Sequence, residues 1–297
     1  MRIVSLLPST TEILFAIGAG DDVVGVTFEC DFPPEARTRR VVSNTALTAG
    51  GTPAEIDAEV KARLAAGEDL YRLDEGALAD LDPDVVVTQD LCAVCAVDVA
   101  NVDAALDHLG CRAAVVTIDP MTLDAVLDSI VELGAVTDRR DAAAALVAGL
   151  RARLAAVASE VAGRPRPRLA VLEWTDPPFS SGHWVPDMVE AAGARSVLGR
   201  RGERSAQVDW PAVHDAEPDV VVVSPCGFRL GGAAELAADL CRRGALPRGA
   251  EVWAVDADAA FVRPGPRVVD AVEALAAIAH PGVLPARPDL AVRIDPA

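Results

Sequence analysis

Aromatic side chains are scarce, at 4% of 297 residues, with one tyrosine, Tyr71, and lysine occurs once, as Lys61. Positive charge is in deficit: 27 Lys and Arg against 45 Asp and Glu leave a net charge of −18. Phosphate backbones would be repelled, which excludes a nucleic-acid partner. Acidity of this kind suits a chain kept soluble where salt screens self-repulsion, a halophile-like character. No run of about 18 apolar residues occurs, so no transmembrane segment is expected. The sequence holds no GxSxG, HExxH or phosphate-loop motif, and no nucleophile is obvious beside the carboxylates of Glu173 and Asp176. Neither an enzyme nor a required cofactor is expected. MRIVSLLPSTTE at the start lacks a basic region, a long apolar core and a small-residue cleavage site, so it does not read as a signal peptide. The chain as written is therefore expected to be cytoplasmic, and extracytoplasmic if an export signal lies outside it. Six cysteines without the density of a secreted mini-domain fit a reducing compartment, and a monomer is expected.

What is abundant is apolar: 51% of residues, enough for two cores of about 100–150 residues each. IVSLL reads as a buried strand. Pro8-Ser9-Thr10-Thr11-Glu12 reads as a turn and helix start, stopped by Gly18 or Gly20. VVGVTF, the span 84–88 and the span 113–118 are further strands, with helices over 53–66, capped by Thr52, and over 97–109. Strands alternating with helices imply parallel, doubly wound sheets. Residues 122–162 read as helix almost throughout, with Gly134 or Thr137-Asp138 as a kink. The part from Asp138 to Ala162 would span about 37 Å. The pattern then recurs: RLAVLEW echoes RIVSLLP, and Pro218-Asp219-Val220-Val221-Val222 repeats Pro83-Asp84-Val85-Val86-Val87. The expected fold is α/β, two Rossmann-like lobes with parallel sheets joined by a long rigid helix. The lobes would be residues 1–120 and 165–297, with the connecting helix at 121–164.

Ligands of open parallel sheets bind beyond the carboxyl ends of the strands. Those ends carry Pro8, Ser9, Thr10, Glu29, Cys30, Gln89 and Cys92 in the first lobe. In the second they carry Glu173, Trp174, Phe179, His183, Trp184, Trp210, Cys226, Phe261, Arg263 and Arg267. If the lobes face one another, these loops line one cleft. Trp174, Phe179, Trp184 and Trp210 lie in polar, Pro- and Gly-rich segments, where aromatic walls could stack on a large planar ligand. Arg263 and Arg267 flank Pro264-Gly265-Pro266 as a rigid pair of cations suited to carboxylate or amide oxygens. Cys92 and Cys95 have metal or redox spacing, and Cys30 and Cys226 could add soft ligands. An alternative reading is therefore a cytosolic metal- or iron-sulfur-handling protein or enzyme.

The segments LLPSTTEILFAIGAGDDVVGVTFECDFPPEA, EWTDPPFSSGHW and FVRPGPRVVDAVEAL, together with the long helix, resemble the helical-backbone (class III) substrate-binding proteins of ABC importers, nearest the vitamin B12 (cobalamin) receptor branch. The resemblance covers nearly the whole chain. It implies capture of cobalamin or a related corrinoid or metal chelate between two lobes, for import through an ABC permease. It also implies ligand contacts at Pro8, Ser9, Phe179, Trp210 and Arg263. The aromatic residues the family would place near Glu29, Ala46 and Ala260 are missing. The resemblance further implies docking to a permease through an acidic residue on each lobe, Glu55 on the first and Asp215 or Glu217 on the second.

Overall fold

The computed structural model describes residues 1–89, Val102 and 112–295. The chain divides into two compact units, Met1–Asp119 with Asp128–Val147, and Pro120–Leu127 with Ala148–Ala297. In the first unit the described strands are β1 (Ile3–Ser5), β2 (Val23–Thr27), β3 (Arg40–Thr45), β4 (Tyr71–Leu73), β5 (Val85–Thr88) and β6 (Ala114–Thr117). Their order is β4-β3-β2-β1-β5-β6. All neighbours run parallel except β3 and β4. β1 and β5 are buried throughout, which explains their unbroken apolar runs. Val4, Val42 and Val86 pack on Ala77 and Leu78 of the helix Glu75–Leu81. The helix Pro8–Ala16 ends where the glycine signal places its stop, with Gly18 at φ 77°. The helix Pro53–Ala65 opens on a capping box: Thr52 accepts from the Glu55 N–H, while the Glu55 carboxylate accepts from Thr52 at 2.8 Å.

The second unit holds β7 (Arg168–Thr175), β8 (Pro178–Ser180), β9 (Arg195–Leu198), β10 (Ala206–Gln207), β11 (Val220–Val223), β12 (Glu251–Val255) and β13 (Ala291–Ile294). The order is β10-β8-β7-β11-β12-β13, with β9 also on β7. β7, β9, β11 and β12 are parallel, while β8, β10 and β13 join antiparallel, so this sheet is mixed rather than wholly parallel. Val221, Val223 and Ala254 pack on Ala233, Ala237 and Leu240 of the helix Leu230–Arg242.

The PDVVV echo extends to side-chain detail. In the first unit the Asp84 carboxylate accepts from the Arg2 N–H at 2.7 Å, and Arg2 Nε donates to the Leu81 carbonyl. In the second, Asp219 accepts from the Arg168 N–H at 2.7 Å, and Arg168 Nε donates to the Glu217 carbonyl. Asp82 and Glu217, each two residues before its aspartate, have φ of 39° and 41°. Each aspartate locks the start of its own strand to the start of the neighbouring one, so both sheets are anchored in the same way by aspartate at their amino edges.

The helical span expected over 122–162 is two helices, Leu123–Val136 and Arg140–Val161. Asp138, at φ 60°, breaks it. A Cβ on Gly134 would fall on that of Ala143, whereas nine residues of straight helix would separate them by about 13.5 Å. The chain therefore turns back sharply here, and only glycine admits the approach. The 22-residue second helix begins in the first unit and ends in the second. Its length and apolar content would suffice for a membrane span. Arg151 and Arg153 in its interior would be expensive in lipid. Arg153 is instead bound to the carboxylate of Glu273, at 2.8 and 2.7 Å, and to Asp270.

Candidate functional site

At the carboxyl edge of the first sheet, Pro8 opens the helix that follows β1 directly. Ser9 and Thr10 are buried. The Thr10 hydroxyl pairs with Ser5 Oγ at 2.7 Å, Thr11 donates to Ser5 at 2.8 Å, and Cys30 Sγ lies 3.1 Å from Thr11 Oγ1. Thr10 and Cys30, expected as ligand contacts, are therefore interior scaffold. Their short polar groups satisfy one another beneath the edge and hold the turn at Pro8-Ser9. Gln89, at the end of β5, is also buried. Cys92, Cys95 and the helix expected over 97–109 lie outside the described residues, apart from helical Val102.

Glu29 is half-buried, and its carboxylate accepts from the Tyr71 hydroxyl at 3.2 Å. Tyr71 stands opposite Thr45, the last residue of β3, and so at the same carboxyl edge. Phe28, 40% exposed, lies with its ring 6.2 Å from that of Tyr71, and Phe32 is 42% exposed nearby in sequence. Sequence reasoning passed over these three aromatics. The available signals were two phenylalanines flanking Glu-Cys-Asp just past a strand, and the only tyrosine in the chain.

In the second unit the edge is built on the β7–β8 hairpin. Trp174 and Phe179 are register partners across it, and Trp174 meets Phe228 edge-on with ring centroids 5.8 Å apart. All three are half-buried. Cys226 lies in the loop after β11, its N–H bonded to the Glu173 carbonyl. The Glu173 carboxylate accepts from the Gly182 N–H at 3.2 Å and from the Ser205 hydroxyl, so it fastens two loops together. His183 is half-buried beside the Trp184 ring, at 5.6 Å. Burial, and then the Arg204 guanidinium, push its imidazole below the ordinary value.

Trp184 and Phe261 are corrected from ligand wall to core. Trp184 is 6% exposed and donates its indole N–H to the Phe261 carbonyl at 3.0 Å, while Phe261 is fully buried. Loop composition, rich in Pro, Gly and Ser, disguised an inward-facing pair. Phe261 ends the π-helical turn Ala257–Phe261, capped by the Asp256 carboxylate. Arg263 follows, its side chain 10% exposed and its guanidinium 4.0 Å from Asp258. Arg267 caps the helix Val268–Ala279 and is half-buried. Trp210 opens the helix Trp210–Asp215 behind the Asp209 cap and leans on the core.

Among the described residues no group of three or more His, Cys, Asp or Glu side chains is placed to hold a metal ion. Cys226 is half-buried in its loop and Cys30 is engaged by Thr11. Of the acidic docking candidates, Glu55 follows the carboxyl end of β3 and is exposed, its pKa lowered by the Thr52 hydrogen bonds. Glu217 is exposed just before β11, at the amino edge of its sheet, and does not occupy a position equivalent to Glu55.

A family model described as periplasmic binding protein matches residues 3–240. The chain belongs to the periplasmic binding protein family. It is a family of binding proteins, not of enzymes, and its two α/β units agree with the resemblance read from the sequence. The cobalamin-binding protein of Halobacterium salinarum is 27% identical over 237 residues, 78% of this chain. The chain matches about half of that relative's length, 56%. Among solved structures, the periplasmic vitamin B12 binding protein BtuF of Vibrio cholerae superposes with a TM-score of 0.68 at 23% identity, covering 94% of this chain and 98% of its own. A periplasmic heme binding protein from Pseudomonas aeruginosa gives 0.72 at 19%, covering 99% and 98%. This periplasmic binding protein therefore shares its backbone with receptors for two different tetrapyrroles.

Proposed function

We propose that the chain captures a planar metal-tetrapyrrole, cobalamin or a related corrinoid first among them, on the aromatic groups at the carboxyl edges of its two sheets, and delivers it to an ABC permease outside the cytoplasm. One observation carries the reading. In a chain with 4% aromatics, Phe28 and Tyr71 meet at one sheet's carboxyl edge, with exposed Phe32 in the segment that follows, and Trp174, Phe179 and Phe228 meet at the other's. Aromatic faces give a flat ligand a large contact area with little ordering of side chains. The relatives that bind cobalamin support the corrinoid. Glu55, exposed beyond the carboxyl end of β3, is the docking residue this reading assigns to the first unit, and Glu217, exposed at the amino edge of its own sheet, is the weaker candidate for the second.

A second ligand, an iron tetrapyrrole, is favoured by Tyr71. Its hydroxyl donates to the Glu29 carboxylate, and a phenol polarised in this way is a competent ligand to ferric iron. Calorimetric titration of cyanocobalamin and of hemin separates the two. The corrinoid reading expects cyanocobalamin to bind with a Kd of about 1 μM or tighter and Tyr71→Phe to change that affinity little. The iron reading expects hemin to bind and Tyr71→Phe to weaken it by about 10-fold or more. Failure of both to bind refutes the proposal.

A further inference from the structure

His183 is held in the left-handed region, at φ 51°. Its N–H donates to the Glu203 carbonyl at 2.6 Å, and its own carbonyl accepts from the Gly202 N–H at 3.1 Å. One residue earlier, a Cβ on Gly182 would fall on the Glu203–Ser205 backbone, so the two loops lie in direct contact there. The turn 181–184 and the loop 199–205 are thus stitched together at His183, and again through Glu173, which binds Gly182 and Ser205. Ser181 and Gly199 add a β-bridge between the same segments.

Nε2 of His183 is buried and, among the described residues, has no hydrogen-bond partner. A neutral imidazole tolerates that by leaving the nitrogen unprotonated; a cation there would be buried and uncompensated. Charged groups lie on three elements that meet at this turn. The loop offers Arg204, of the wrong sign, and Glu203, which is paired with Arg200 at 3.7 Å. β7 offers Glu173, engaged by Gly182 and Ser205. The helix Val185–Ala191 offers Asp187, paired with Arg201 at 2.7 Å and accepting from the Leu123 N–H at 3.0 Å. Each carboxylate is committed elsewhere.

We propose that His183 is a proton-operated latch: its protonation expels the ring, and the loop 199–205 comes away from the turn 181–184. The inference stands on the second unit's loops alone and does not depend on which ligand the protein carries. The sign follows from burial and Arg204, which lower the folded-state pKa. The latch is intact above the ordinary histidine value of about 6.5 and is lost as pH falls through the lower folded value.

Amide hydrogen exchange on the full, ligand-free chain at pH 7.5 and 5.0, corrected for intrinsic rates, reads the latch directly. The expected result is exchange at the Gly182, His183 and Gly202 amides about 10-fold faster at the lower pH, with β11 unchanged. His183→Asn keeps a residue that accepts a left-handed backbone but does not titrate, and should abolish the acid response. Arg204→Gln, an exposed change, removes the cation that disfavours a protonated ring inside the latch and should shrink the acid response. Amides indifferent to pH, or an acid response that persists in His183→Asn and is undiminished in Arg204→Gln, overturn the proposal.

Discussion

Trp184→Ala is expected to destabilise the second unit by about 3–5 kcal/mol, the range for emptying a buried aromatic site. The indole is 6% exposed, and its N–H is bound to the carbonyl of fully buried Phe261. Truncation opens a cavity and also strands that carbonyl inside the protein, two penalties that add. Trp184→Phe separates them. It retains most of the packing and loses the hydrogen bond, for about 1 kcal/mol. Urea unfolding of both variants measures the difference. The alanine variant should also bind ligand less tightly, because the loop Phe261–Arg267 rests on that bond and would shift. Equal losses for the two variants would show that packing counts for nothing at this position.

Gly199→Ala is expected to lower stability by about 4 kcal/mol or more, at the severe end for a single substitution. Gly199 has φ 102°, a backbone that L side chains rarely adopt, and a Cβ there would fall on the Ser181 carbonyl oxygen. The alanine must break the Ser181–Gly199 bridge and push apart the ends of β8 and β9, both of which pair with β7. Gly18→Ala provides the control. Gly18 also has positive φ, 77°, but among the described residues nothing lies within 4 Å of the added atom, so it should lose only about 1–2 kcal/mol from backbone strain. Thermal melts of the two variants test the distinction between strain alone and strain with collision.

The sheets were largely legible because buried parallel strands leave apolar runs with sharp ends. β5 and β11 each follow Pro-Asp, and each aspartate is the lock at its sheet's amino edge. β3 and β4 were not legible, since Val41 is 42% exposed and β4 has three residues, too few to show alternation. The carboxyl-edge rule found the right loops but not which side chains they present. Trp184 and Phe261 sit in loop-like sequence and turn inward, while Phe28 and Phe32, adjoining a strand, turn outward. Arg263 was readable as a fixed cation, but not its pairing with Asp258, which depends on the π-helical turn that precedes it. Burial of a loop residue is decided by what packs over it, and that is a tertiary fact no local pattern records.

In the proposed function the aromatic groups at the carboxyl edges are the ligand surface. Calorimetric titration of cyanocobalamin and hemin into the wild-type chain and into the Phe28→Ala, Trp174→Ala double variant tests it most directly. Both positions are partly exposed, so the variant should melt close to wild type. Whichever tetrapyrrole binds the wild type is expected to bind the variant about 100-fold more weakly, from about 1–3 kcal/mol of lost stacking per ring. Binding of equal strength to both proteins, with the fold intact, would contradict it.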